Sequence, residues 1–127
     1  MIGIDIIQIS RIDKMIQRFG DKALKKFLHA KEIALVKNTT TAAGFWATKE
    51  AFSKSIGIGI GAHCSFFDMQ IYKTAQGAPK LALSKKIIEE FDIEDVAISI
   101  THDGDYAISV VSVQTRNLSP TNKIKQF

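Results

Sequence analysis

Three groups of residues in this 127-residue chain have the types and spacing to do chemistry. Asp5 sits in the otherwise apolar run Ile2-Gly3-Ile4-Asp5-Ile6-Ile7, where an ionised carboxylate is costly unless it is paired or metal-bound. The bland alternative is an edge-strand acid paired with Arg11. Lys49, Glu50, Ser53 and Lys54 lie within Lys-Glu-Ala-Phe-Ser-Lys, and Glu50 and Lys54 share a helix face with the acid on the N-terminal side. On an arbitrary helix such a pair is an exposed ion pair worth about a few tenths of a kcal/mol. Here Trp46 stands one turn before Glu50, and the segment runs into Gly57-Ile58-Gly59-Ile60-Gly61. A carboxylate, two ammonium groups and free backbone amides in one region suit a metal–phosphate site. The third group is His102-Asp103, which can face a phosphate or simply satisfy a turn.

Other chemistries lack their residues. No His/Cys cluster has zinc spacing, and no aromatic-plus-basic stripe is present for stacking RNA bases. The glycine-rich stretch does not fit G-x-x-x-x-G-K-[ST], and it follows a helix where a nucleotide-binding fingerprint would follow a strand. Cys64 is the only cysteine, so an intramolecular disulfide is impossible. Beside Phe66 and Phe67 it reads as a small buried hydrophobe.

Positioning these groups requires a scaffold that the apolar pattern outlines. Residues 2–9 read as a mostly buried strand, followed by Ser10 as N-cap of a helix with the stripe Ile12, Met15, Ile16 and Phe19 ending at Gly20. Short helical pieces are predicted over 22–28 and 30–36. The strongest helix covers 41–56, capped by a threonine and ended by Gly57 at C′. A strand over 66–73, a turn at Gln76-Gly77-Ala78-Pro79, an extended piece over 81–83 and a helix from Ser84 to Phe91 come next. Strands over 96–102 and 106–113 flank Asp103-Gly104, a two-residue hairpin signal. The order predicts an α+β fold, a small antiparallel sheet packed with helices, forming one domain over 1–127 whose residues from about 115 onward are a flexible tail.

Composition sets the outer bounds. With 46% apolar and 24% charged residues the chain is that of an ordinary soluble globular protein, not a disordered, collagenous or disulfide-stapled one. Seventeen Lys+Arg against thirteen Asp+Glu give +4 and a pI near 9.2, which favours an anionic partner. The start Met-Ile-Gly-Ile-Asp lacks a signal-peptide n-region, and no apolar run approaches the roughly 20 residues of a membrane span. The expected location is the cytoplasm, without membrane association.

The pieces together resemble the holo-acyl-carrier-protein synthases, small 4′-phosphopantetheinyl transferases. The resemblance rests on Gly3-Ile4-Asp5-Ile6 with Ser10-Arg11-Ile12, and on Phe45-Trp46-Ala47-Thr48-Lys49-Glu50-Ala51-Phe52-Ser53-Lys54. It continues through Gly57–Gly61, Gly77-Ala78-Pro79, Ser99-Ile100-Thr101-His102 and Asp105-Tyr106-Ala107, in the family's order, up to about Gln114. The Asp5 block with the Lys-Glu-Ala-x-x-Lys block is the specific part.

The resemblance implies transfer of the phosphopantetheine arm of coenzyme A to a serine of apo-acyl carrier protein. It assigns Asp5 and Glu50 to Mg²⁺ and makes Asp5, Glu50 and Lys54 the catalytic set. Lys49, Lys54, Gly57, Pro79 and His102 would contact coenzyme A, with Lys54 on the phosphates and His102 near the adenosine 3′-phosphate. Arg11, Met15 and Arg18 would meet the acidic carrier protein. A homotrimer is implied, its cleft completed by a neighbouring subunit. Many members carry an arginine where this chain has Phe45, and a small hydroxyl residue where it has Asp103. An alternative of another class is a basic RNA-binding module, which would show steep salt dependence but leave Asp5 and Glu50 without purpose. A non-catalytic trimeric interaction protein is a third.

Overall fold

The computed structural model describes residues 1–116 and 125–126. The chain runs β1 (Ile2–Gln8), α1 (Ile9–Phe19), α2 (Lys22–Lys25), α3 (Ala30–Ile33), α4 (Thr39–Ser55), a 3₁₀ turn (Phe66–Asp68), β2 (Met69–Lys73), β3 (Pro79–Leu83), α5 (Lys85–Phe91), β4 (Ile93–Asp103) and β5 (Tyr106–Thr115). The α+β class is as expected, but the strands form two antiparallel sheets: a three-stranded one in the order β1-β5-β4 and a separate β2-β3 ribbon.

Helix α4 lies on one face of the three-stranded sheet, and its sequence explains how. Asn38, not a threonine, caps it by accepting the Thr41 amide at 2.9 Å. Small residues (Ala42, Ala43, Gly44, Ala47, Ala51, Ser53 and Ser55) are buried along it and let strands approach closely. At Gly3, an added Cβ would collide with the Ala51 carbonyl and come within 2.7 Å of the Ser55 amide nitrogen. At Gly44 it would meet Ile100 at 2.9 Å. Thr48 Oγ1 shares a 2.8 Å hydrogen bond with Ser109 Oγ, and Ser109 is the β5 partner of Asp5. The helix is thus tied to the β5 residue that lies beside Asp5. Gly57 follows the helix with φ 83°, the left-handed conformation that suits glycine at C′.

The covered face of the sheet carries Ile7, Ala107, Val111 and Val113, all buried, with Phe45, Phe52 and Ile12 packed in the same core. The other face is open: Ile2, Ile4 and Ile6 are 73%, 58% and 56% exposed. The expectation of a mostly buried β1 therefore fails for one side of the strand. Period-2 alternation sends Gly3, Asp5 and Ile7 to α4 and the isoleucines outward.

Three further expectations are corrected. Helix α1 starts at Ile9 without a local side-chain cap, and Ser10 instead binds Asp105. Phe66–Asp68 turn as a 3₁₀ helix because Ser65 and Asp68 cap it reciprocally, leaving only Met69–Lys73 as strand. Phe19 is not core: it is 40% exposed, with the Lys26 ammonium 4.0 Å and the Arg18 guanidinium 5.1 Å from its ring centre. At the start of the expected tail, Thr115 pairs with Ile93 and the Arg116 amide donates to the Asp92 carbonyl at 3.0 Å. Most of that stretch lies outside the described residues.

Candidate active site

Asp5, Glu50 and Lys54 meet at the seam between β1 and the last turns of α4. Asp5 projects from the covered face of β1 with its side chain 14% exposed, and its Oδ1 lies 2.7 Å from Lys54 Nζ. Its ion-pair partner is therefore Lys54, not Arg11. Lys54 Nζ also approaches the Ile4 carbonyl at 3.5 Å. Glu50, one turn earlier, is half-buried. Burial raises its carboxyl above the ordinary carboxylate range, and the Asp5 charge adds to the rise. Lys54 and Arg11 oppose it. Two carboxylates and two cations thus form one electrostatic unit drawn from β1, α1 and α4.

Lys49, grouped with the cofactor contacts by its place in the motif, points elsewhere. It is fully buried, in a 2.7 Å salt bridge with equally buried Glu32. Its ammonium also donates to the carbonyls of Phe27 at 2.7 Å and Phe66 at 3.0 Å. Glu32 in turn accepts the amides of His29 and Ile71, each at 2.9 Å. Burial lowers the Lys49 ammonium from its ordinary range while Glu32 works against that shift. With all three of its protons used inside the protein, Lys49 has none for a ligand. The expected contact is replaced by a buried tie between α4, α3 and β2.

Pro79 and His102 occur together in a second place. A groove of about 330 Å³ is lined by Asn38, Thr41, Phe45, Lys73, Pro79 and His102, among others. Asp5, Glu50 and Lys54 do not line it. Pro79 is the first residue of β3, not part of the preceding turn. His102 is brought to the α4 side of the sheet by its register opposite buried Ala107. Lys73 escaped the sequence reading because it marks only the end of an alternating strand. Its signal was its position opposite Pro79 across the β2–β3 ribbon. The groove therefore has a positive side chain beside Phe45.

Gly57 lies exposed at the end of α4, next to Lys54. Arg11 and Arg18 are exposed on α1 and Met15 is half-buried between them, a spacing that puts the three on neighbouring turns. Cys64 is buried in the core, where burial pushes its thiol up to about 11.

Residues 1–111 match the 4′-phosphopantetheinyl transferase superfamily. The holo-[acyl-carrier-protein] synthase of Sulfurimonas denitrificans is 54% identical over 124 residues, covering 98% of this chain and 100% of its own. That of Campylobacter fetus is 50% identical over 114 residues, covering 90% and 99%. Among solved structures, the Helicobacter pylori synthase in complex with coenzyme A superimposes with TM-score 0.87 at 45% identity, over 90% of this chain and 100% of that one. The Bacillus anthracis synthase, in complex with CoA (3′,5′-ADP), gives 0.76 at 33% identity over 90% and 95%. On this match in sequence and shape along nearly the whole described chain, it belongs to the holo-acyl-carrier-protein synthase family of 4′-phosphopantetheinyl transferases.

Proposed function

We propose that the chain transfers the 4′-phosphopantetheine arm of coenzyme A to a serine hydroxyl of an apo-acyl carrier protein, releasing adenosine 3′,5′-bisphosphate. The observation that carries this reading is the unit of Asp5, Glu50 and Lys54 at the mouth of the glycine-rich loop. It is supported by the family membership and by the coenzyme A bound to the Helicobacter pylori relative.

The serine oxygen attacks the pantetheine-bearing phosphorus, and the bond to the oxygen bridging to the adenosine 5′-phosphate breaks. Glu50 is the carboxylate placed to take the serine proton. Lys54 sits on the phosphate oxygens where negative charge grows on the leaving group. Asp5 and Glu50 are the residues that would hold Mg²⁺. The Asp5 carboxylate acts on the nearby Glu50 carboxyl, and two neighbouring carboxylates are the donor set a hard cation takes. Mg²⁺ characteristically takes one or two carboxylates and fills its remaining places with water and phosphate oxygens. When bound it supplies neutralisation of the pyrophosphate charge.

His102, Lys73 and Pro79 bind the adenosine 3′-phosphate end, with Lys73 supplying charge beside Phe45. Loop amides expected to be free are engaged, that of Gly57 donating to the Lys54 carbonyl at 3.0 Å, so Gly57 meets coenzyme A through its lack of a side chain and not as a donor. Neither Asp5 nor Glu50 lines the His102 groove, and a neighbouring copy completes the cleft. The open isoleucine face of β1, continued by exposed Val110 and Tyr106 of β5, provides the apolar surface for a homotrimer. Arg11, Met15 and Arg18 dock the acidic carrier protein, and the reaction takes place in the cytoplasm. Incubation with fluorophore-tagged coenzyme A and an apo carrier protein tests the function. Label should enter the carrier band and disappear with EDTA; an unlabelled band in the presence of Mg²⁺ contradicts it.

A further inference from the structure

Helix α1 follows β1 with no intervening loop: Gln8 ends the strand and Ile9 begins the helix. Such a start leaves the first amides of the helix without partners. Gln8 makes no side-chain cap, and the first turn contains no acidic residue. The partners come instead from a residue 95 positions away. Asp105 accepts the Ser10 amide on Oδ1 at 3.1 Å and the Ser10 hydroxyl on Oδ2 at 2.8 Å. Its main-chain carbonyl accepts the Ile9 amide at 2.8 Å. Both carboxylate oxygens and the carbonyl of one residue are thus committed to the first turn of α1, and the negative charge lies at the positive end of the helix dipole.

Asp105 is itself firmly held. It lies in the β4–β5 turn behind Gly104, whose φ of 55° the turn requires. The flanking pairs Asp103–Tyr106 and Gln8–Tyr106 tie the turn to β4 on one side and β1 on the other. The first turn that it caps carries Arg11, whose charge reaches Glu50.

We propose that Asp105 is a positioning residue for α1: by capping the helix from the hairpin it fixes where Arg11 stands relative to Glu50, and thereby how the acidic carrier protein is received. The proposal rests on the reading of α1 as the docking helix. Asp105 needs no contact with either substrate for this. Its removal frays the first turn and leaves the β4–β5 ladder, with His102, in place.

The test compares Asp105→Ala, Asp105→Asn and Arg11→Glu with the unmodified protein, measuring KM for carrier protein and for coenzyme A separately. Hydrogen exchange at the Ser10 and Arg11 amides is followed alongside. For Asp105→Ala we expect faster exchange at those amides and a KM for carrier protein raised about tenfold, with KM for coenzyme A unchanged. Asp105→Asn, which keeps one acceptor for the Ser10 amide, should recover part of the loss. Equal rises in both KM values, or unchanged kinetics despite faster exchange, would overturn the proposal while transfer by the unmodified protein upholds the function. Unchanged carrier KM in Arg11→Glu removes the docking role of α1 and the proposal with it. No transfer by the unmodified protein overturns the function itself.

Discussion

Lys54 Nζ stands 2.7 Å from Asp5 Oδ1 across the seam between α4 and β1, which ties the one acidic residue of the first strand to the last turn of the central helix. Glu50 shares that seam, and the Asp5 charge adds to the burial that raises its carboxyl. The contact depends on Gly3, two residues before Asp5, because only a residue without a Cβ lets β1 lie against the Ala51 carbonyl.

Gly3→Ala should therefore damage both stability and activity. The new methyl meets main-chain atoms that cannot rotate away, so β1 must move off α4 and carry Asp5 with it. A cost of about 1–3 kcal/mol is expected for such overpacking, read by urea denaturation, together with a fall in transfer rate. Wild-type stability in the variant would mean that the close approach is not needed.

Glu50→Gln separates function from stability. Transfer should fall by at least about 10²-fold, the usual worth of a positioned proton acceptor. The fold should gain. A carboxyl raised on folding binds its proton more tightly in the native state, so ionising it costs stability. That cost sets in as pH rises above the ordinary Glu value and is complete above the raised native one. The amide removes the cost, so without Mg²⁺ the melting temperature should rise at pH 7 and the gain should vanish under acid conditions where Glu50 is protonated. A lower melting temperature at pH 7 would contradict the direction of the shift.

Lys49→Met should be among the most destabilising single changes in the chain. It leaves the Glu32 carboxylate buried without its cation, a loss of about 3–5 kcal/mol. Adding Glu32→Gln removes the stranded charge but keeps an acceptor for only one of the His29 and Ile71 amides, which Glu32 binds on different oxygens, and should restore part of the loss. Denaturant titration of the two single variants and the double variant measures the coupling. Additive losses would show that the pair does not act as a unit.

Much of this arrangement is written locally in the chain. The alanine-rich stretch ending at Gly57 marks α4, the Asp103-Gly104 pair marks the β4–β5 hairpin, and an acid inside an apolar strand marks Asp5. What escaped depends on partners distant in sequence. Lys49 carries no sign of burial until Glu32, 17 residues earlier, is placed against it. The true cap of α1 lies 95 residues away, so Ser10 looked like a local cap. The outward isoleucines of β1 looked like core because hydrophobicity does not say which side of a sheet is covered. The 3₁₀ turn was legible in principle, since Ser65-x-x-Asp68 is a capping pattern, but the alternation of its neighbours masked it.

Lys73 offers a test of substrate recognition. In Lys73→Ala the KM for coenzyme A should rise about tenfold, the worth of one charge-assisted hydrogen bond. Dephospho-coenzyme A, which lacks the 3′-phosphate, should be affected little. Equal effects on the two substrates would remove Lys73 from the phosphate groove.

The central claim is tested most directly by intact-mass analysis of an apo-acyl carrier protein after incubation with the unmodified chain, coenzyme A and Mg²⁺. The account predicts that the carrier gains the mass of one phosphopantetheine group at its acceptor serine, and that the Glu50→Gln chain leaves it unmodified over the same time. A carrier of unchanged mass with the unmodified chain, or equal gain with both chains, would contradict it.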